Sequence, residues 1–137
     1  MPANTTPVFP LTPNVGLGVI IATANTALDG TGTVGIVYTA GSNGSRIDYI
    51  KIKYTGTSIA TLARIFINNG GATTTATNNS LFVEQAITAN TISQVAAQTN
   101  EFNISMNITL PAGYRILATI GTTVAAGLVF SAYGGDY

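Results

Sequence analysis

Within the stretch from Asn100 to Leu110, polar and apolar side chains alternate without a break from Glu101 onward. Its apolar members are Phe102, Ile104, Met106, Ile108 and Leu110. Successive side chains of a β-strand point to opposite faces, so a period of two over this length predicts a strand with one dry face and one wet face. We therefore expect the first four of these apolar side chains to be buried, and the fold to be built mainly from strands.

Short runs of β-type residues, separated by Gly, Asn and Thr, follow one another along the rest of the chain. The predicted strands are 15–23, 33–39, 46–54, 62–68, 80–87, 100–110, 114–120 and 124–133. The first of them is apolar and β-branched, which predicts a buried strand. The last two are expected to form a closing pair around the turn at 121–123.

Alternation also assigns faces within two of these strands. In 33–39 one face is expected to carry Val34, Ile36 and Tyr38. In 46–54 the expected inward residues are Ile50, Ile52 and Tyr54, and the expected outward residues are Tyr49, Lys51 and Lys53. Residues 72–79 are expected to form a long exposed loop, whereas 88–99 is ambiguous and could hold one short turn.

About eight strands with frequent turns and no clear helical pattern predict an all-β fold, a single-domain antiparallel β-sandwich or jelly roll. Residues 1–14 are predicted to form an extended N-terminal arm in front of a domain spanning 15–137. The prolines of this arm, which forbid a helix, are Pro2, Pro7, Pro10 and Pro13. Between them stand Val8, Phe9 and Leu11, which need a surface to lie on. The arm is therefore either a loose tail or a segment that laces over a neighbouring subunit.

Charge is scarce in this chain. Only 7% of the residues are charged, against about 25% in typical soluble domains. Such a protein must cover its surface with Thr, Ser, Asn and Gly, or with neighbouring proteins. The five basic and five acidic residues balance, so the basic excess that nucleic-acid binding requires is missing, as is the basic amphipathic helix of a membrane-surface protein.

The chain lacks residue types that several kinds of chemistry require. The chain has no Cys, His or Trp, which excludes thiolate and imidazole catalysis and nearly every zinc site. The sequence thus predicts a protein that is not an enzyme, with no cofactor, metal or small-molecule substrate. No apolar run reaches membrane-spanning length, and the N-terminus lacks the pattern of a secretory signal. We expect the intact product to be cytoplasmic when it is made.

Three features could still carry function. The segment from Gly30 to Gly35 matches the G-x-G-x-x-G spacing of dinucleotide sites, but β-branched residues follow where a helix should begin, so a chance match is expected. Arg46, Lys51 and Lys53, together with Asp48, could dock an acidic partner or simply form a solvated strand face. The six tyrosines could line a sugar-binding groove by stacking, but their scatter along the chain favours core or interface positions.

Five segments together resemble a family of small virion proteins of tailed bacteriophages. These segments are 24–33, 44–48, 63–67, 110–114 and 132–137, which hold turn and strand-edge residues. The chain departs from that family between Phe66 and Leu81, where Thr, Ala and Asn replace a charged or His-containing segment.

The resemblance implies a capsid decoration (cement) protein that stabilises the head by binding at the capsid surface as an oligomer. It implies the major capsid protein, or another virion protein, as partner and a homotrimer as the assembled form. The residues expected at interfaces are Val8, Phe9, Leu11, Arg46, Lys51, Lys53, Tyr133 and Tyr137. The alternatives are a receptor- or glycan-binding module of a head or tail fibre, and a tail or filament structural subunit.

Overall fold

The computed structural model describes residues 8–98 and 100–137. Eight β-strands follow in order: β1 (Thr12–Ile21), β2 (Gly35–Thr39), β3 (Ser45–Tyr54), β4 (Thr61–Asn68), β5 (Asn79–Ile87), β6 (Phe102–Leu110), β7 (Arg115–Ile120) and β8 (Leu128–Asp136). A single 3-10 turn, Ala76–Asn78, lies before β5. Within the described ranges no helix has the length and apolarity needed to cross a membrane.

The strands form two antiparallel sheets of four, with the orders β1-β8-β3-β6 and β2-β7-β4-β5. The hydrogen-bonded pairs include β1 with β8, β2 with β7, β3 with β6 and β4 with β5. This nested pairing is a long antiparallel hairpin rolled up on itself, which is the topology of a jelly roll. The predicted all-β sandwich is thereby confirmed.

The core lies between the inner faces of the two sheets. β6 supplies Ile104, Met106 and Leu110, all at most 6% exposed, while Phe102 and Ile108 are partly buried against the same cluster. The predicted alternation of β6 is therefore confirmed, with its two partly buried members near the strand ends. On β3 the predicted inward residues Ile50, Ile52 and Tyr54 are buried as expected. These two strands are neighbours in the first sheet, so their patterns build one continuous apolar layer.

Three predictions about single strands are wrong. β7 and β8 do not pair, because β7 lies in the second sheet and β8 in the first. β1 is not a buried strand, since Val15, Leu17 and Ile20 on it are 43%, 65% and 60% exposed. It also begins at Thr12, so residues 12–14 belong to the sheet and not to the arm.

β2 differs from its predicted pattern because of a bulge. The register against β7 shifts between Ile36 and Tyr38, so Val37 and Tyr38 both turn into the core at 2% exposure. Ile36, predicted to share a face with Tyr38, is instead 45% exposed. A bulge of this kind inserts one unpaired residue and reverses the face of everything on one side of it.

The loop from 22 to 34 covers part of the outer face of the second sheet. Phe66 and Leu117, which point away from the core, are fully buried. A Cβ added to Gly30 in this loop would lie 3.1 Å from the Phe66 ring, and Arg64 donates to the Asn25 carbonyl at 3.2 Å. Residues 30–34 of the G-x-G-x-x-G match lie in this loop, and Gly35 is the first residue of β2. A strand therefore follows the motif where a dinucleotide site would need a helix, as expected for a chance match.

Candidate interaction surface

The outer face of the first sheet is exposed to solvent, and we call it the open face. Its residues change character from one edge strand to the other. β1 carries the exposed apolar residues Val15, Leu17 and Ile20, which we call the β1 strip. β6, at the opposite edge, presents the polar side chains Asn103, Ser105 and Asn107. The open face therefore has an apolar edge and a polar edge.

Residues 8–11, the described part of the predicted arm that lies outside β1, lead directly into the β1 strip. Val8, Phe9 and Leu11 are 60%, 70% and 83% exposed. The Leu11 amide donates to the Asp136 carbonyl at 2.7 Å, so the arm extends the pairing of β1 with β8. A Cβ on Gly135 would lie 2.7 Å from that of Pro10, which shows how closely the arm lies against β8. Residues 1–7 of the predicted arm lie outside the described residues.

The position of β1 is fixed by the carboxylate of Asp136. Asn14 on β1 donates to both of its oxygens at 2.9 and 3.0 Å, and Ser45 on β3 makes a short hydrogen bond to it. The Tyr38 hydroxyl reaches it from the other sheet at 3.4 Å. Asp136 therefore joins three neighbouring strands of one sheet to an edge strand of the other.

These contacts also set the ionisation of the cluster. Burial alone would raise the pKa of Asp136, but the hydrogen bonds from Ser45, Asn14, the Gly41 backbone and Tyr38 outweigh it and hold that pKa below its ordinary value. Burial is the main cause that raises the pKa of the Tyr38 hydroxyl. The folded protein thus favours the ionised form of Asp136.

Replacing Asp136 by Asn should lower the free energy of unfolding by about 1–3 kcal/mol at neutral pH, because charge-assisted hydrogen bonds are lost. A carboxyl whose pKa is lower in the folded state than in the unfolded state stabilises the fold at pH values above the unfolded-state pKa. This stabilisation is lost as the pH falls through the folded-state pKa. The difference between wild type and Asp136→Asn should therefore shrink below about pH 4. Urea unfolding from about pH 7 down to about pH 3 measures it.

A matched control for this comparison is Asp48→Asn, which removes an exposed carboxylate whose partner is Arg46 at 3.0 Å. Exposed pairs of this kind contribute about 0–1 kcal/mol. An equal loss in the two variants would show that Asp136 does not join the strands as described.

The charged residues predicted at an interface share the outer face of β3. Lys51 and Lys53 both approach Glu101, at 3.8 and 3.3 Å, and Arg46 pairs with Asp48. Opposite charges alternate across this cluster, so it has no strong net field. It matches the description of a solvated strand face better than that of a docking site for an acidic partner.

The two predicted interface tyrosines lie in different surroundings. Tyr133 on β8 stands directly opposite Tyr49 on β3, and their rings stack with centroids 4.8 Å apart and planes 20° from parallel. Tyr137 is half-buried beyond the end of β8, where its amide donates to the Gly44 carbonyl at 3.1 Å. The cross-strand tyrosine pair is therefore part of the open face, whereas Tyr137 continues the pairing of β8 with β3 beyond Asp136.

Two shallow depressions mark this face. The larger, of about 370 Å³, is lined by Asp48, Tyr49, Lys51, Asn103, Ser105 and Asn107. The smaller, of about 280 Å³, is lined by Pro10, Leu11, Thr12, Pro13, Asp48, Gly134 and Gly135. Asp48 borders both, so the arm and the polar region meet on this side chain. The described part of the chain contains no cluster of three or more metal-ligating side chains.

Sequence reasoning missed the β1 strip because a continuous apolar run is expected in a buried strand. The interruption of that run by Gly16 and Gly18 was the available signal, since the register of β1 shifts between Gly16 and Val19. The pairing of Tyr49 with Tyr133 depends on the register of strands far apart in sequence, and no local pattern specifies it.

A scan against protein-family models finds no match, and searches of the curated proteins and of the solved structures find no significant match either.

Proposed function

We propose that this chain is a structural protein of a bacteriophage virion. In this proposal it is a capsid decoration protein that binds the outer surface of the head as a homotrimer and contacts the major capsid protein. The observation that carries the proposal is the exposed apolar surface formed by the β1 strip and the arm residues Val8, Phe9 and Leu11.

An exposed apolar edge strand favours assembly. Soluble monomers rarely expose large contiguous apolar patches, and a hydrophobic strand at a sheet edge invites association with other chains. β1 is an edge strand of the first sheet, and Leu17 and Ile20 on it are more than half exposed. A closed oligomer, or contact with a shell, would remove these side chains from water.

The scarcity of charge supports the same proposal. Natural proteins protect edge strands with charged side chains, especially Lys. β1 has none, whereas the charges of the first sheet stand on β3, beside β6 and, as Asp136, at the end of β8. β1, the apolar edge strand that would need such protection in a monomer, therefore has no charged side chain. The jelly roll is compatible with this role because it recurs in viral capsid domains, although a fold alone does not determine function.

The double substitution Leu17→Ser with Ile20→Ser tests the strip. In analytical ultracentrifugation, wild-type protein should have a mass of three times the 14.0 kDa of one chain. The variant should have the mass of a monomer, because the strip supplies the apolar contacts of the oligomer. Binding to virions that lack the chain, prepared by deleting its gene, should weaken by at least about tenfold.

A control with the same residue types is Leu28→Ser with Ile59→Ser, whose side chains are 59% and 55% exposed away from the strip. This control should remain trimeric and bind virions normally. A strip variant that stays trimeric and binds as well as wild type would refute the proposal, as would a control that loses both properties. Long polymers of wild-type protein would favour a filament subunit instead.

A further inference from the structure

The outer face of the first sheet carries a second feature at its polar edge, apart from the β1 strip. Tyr49 on β3 lies between Tyr133 on β8 and Ser105 on β6, and it is in register with both. One face of the Tyr49 ring is covered by the stacked ring of Tyr133. The opposite ring face is therefore turned toward β6.

On that side the small side chain of Ser105 leaves space. The depression of about 370 Å³ lies there, with Tyr49 and Ser105 both in its lining. Its volume falls within the range of about 300–1,000 Å³ found for small-molecule sites. Tyr49 is 38% exposed, so the ring is accessible from the solvent while Tyr133 supports it from behind.

The remaining lining residues offer a dense set of hydrogen-bonding groups. Asn103 and Asn107 each present an amide that both donates and accepts, and Ser105 adds a hydroxyl. Asp48 accepts and Lys51 donates, and each is held by an ion pair with a neighbour, Arg46 at 3.0 Å and Glu101 at 3.8 Å respectively. One carboxylate and one ammonium group leave the depression without net charge.

We propose that this depression binds a neutral sugar residue of a surface polysaccharide. The apolar C–H face of a pyranose ring would stack on the free face of Tyr49, and its hydroxyls would exchange hydrogen bonds with Asn103, Asn107 and Asp48. A flat aromatic ring beside paired donors and acceptors suits a ligand that is apolar on one face and rich in hydroxyls at its edge. The balanced charge disfavours a polyanion.

This site does not depend on the proposed function, since it uses residues of β3 and β6 and not the β1 strip. Because the depression is shallow and open, the affinity for a single sugar should be weak, with a Kd on the order of 1 mM. Tyrosine is well suited to such contacts because its ring offers a large rigid surface at a small entropy cost.

The test is a titration of isotope-labelled protein with the methyl glycosides of glucose, galactose, mannose, rhamnose and N-acetylglucosamine, followed by amide chemical shifts. At least one glycoside should shift the amides of residues 48–51 and 103–107. Tyr49→Ala should weaken that binding by about tenfold or more, while Tyr49→Phe, which keeps the ring, should retain it. Absence of shifts at these amides with all five glycosides would overturn the proposal.

Two further variants keep the test decisive. Ser105→Leu fills the space beside Tyr49 at an exposed position, so it should block binding even if Tyr49→Ala fails to fold. Phe82→Ala removes an aromatic ring that is 41% exposed on the second sheet, and it should bind as wild type does. Binding that survives Ser105→Leu would contradict the assigned position. The titration uses free protein, so its failure would leave trimer formation and virion binding untouched.

Discussion

Phe130→Ala should lower the free energy of unfolding by about 3–5 kcal/mol, the cost of deleting a fully buried aromatic ring. Phe130 is 0% exposed and lies on β8, where it stands opposite Val19 on β1 and Ile52 on β3. The cavity left behind would open at the centre of the first sheet, where neighbours on both sides limit relaxation. Since domains of this size are stable by about 5–15 kcal/mol, equilibrium denaturation by urea should show a large shift of the midpoint.

The control for Phe130 is the same substitution at Phe82, on the edge strand β5, where the ring is 41% exposed. Phe82→Ala should cost less than about 1 kcal/mol, because little buried surface is lost. If Phe130→Ala cost no more than Phe82→Ala, the placement of β8 at the centre of the core would be wrong.

Gly16→Ala should destabilise the fold by at least about 2–3 kcal/mol, although it adds a single methyl group. A Cβ at Gly16 would lie 1.8 Å from the carbonyl oxygen of Val37 and 2.9 Å from its carbon. Both atoms belong to the backbone of β2, so no side chain can move aside. The methyl group must push the edge strand of one sheet away from the edge strand of the other, and thermal or urea unfolding should report the loss.

Gly121→Ala is the matched control. Its added Cβ would meet Arg64 Nη1 at 3.5 Å and the Leu62 Cβ at 3.6 Å, which are ordinary contacts. Replacing glycine where space exists commonly stabilises a protein by about 0.4–1 kcal/mol, because the unfolded chain loses freedom. A tolerated Gly16→Ala would mean that β1 and β2 do not approach each other as closely as described.

The sequence predicted those parts of the fold that are determined locally. β6 alternates because one face meets the core and the other meets water, and this burial pattern persists although the register against β3 shifts near Asn107, whose φ is 48°. β3 shows the same pattern, with Ile50 and Ile52 inward and Tyr49, Lys51 and Lys53 outward, as its alternation predicts. Where burial alone decides the position of each side chain, the pattern of residue types is sufficient.

Other parts depend on contacts between distant segments. β7 and β8 are neighbours in sequence and have turn residues between them, which favours a hairpin, yet each pairs with strands from the first half of the chain. In this jelly roll every connection except that between β4 and β5 crosses from one sheet to the other, so proximity along the chain does not indicate pairing for β7 and β8. The bulge that turns Val37 inward is likewise a property of the register between β2 and β7, and alternation cannot predict it.

The candidate sites divide in the same way. Individual exposure of the arm residues and of the charged residues on β3 followed from local patterns. The stacking of Tyr49 on Tyr133 needs β3 and β8 in one register, and the depression beside Tyr49 needs the small Ser105 on a third strand. The tyrosines are scattered in sequence, which favoured core or interface positions, but the sheet brings two of them together on its open face.

The most direct test of the proposed assembly role is a cryo-EM map of the virion that carries this chain. The map should show the jelly roll on the outside of the head, in groups of three, with Leu17 and Ile20 of the β1 strip buried against a neighbouring copy or the shell. Density for the domain only in the tail, or a β1 strip facing solvent on every copy, would contradict it.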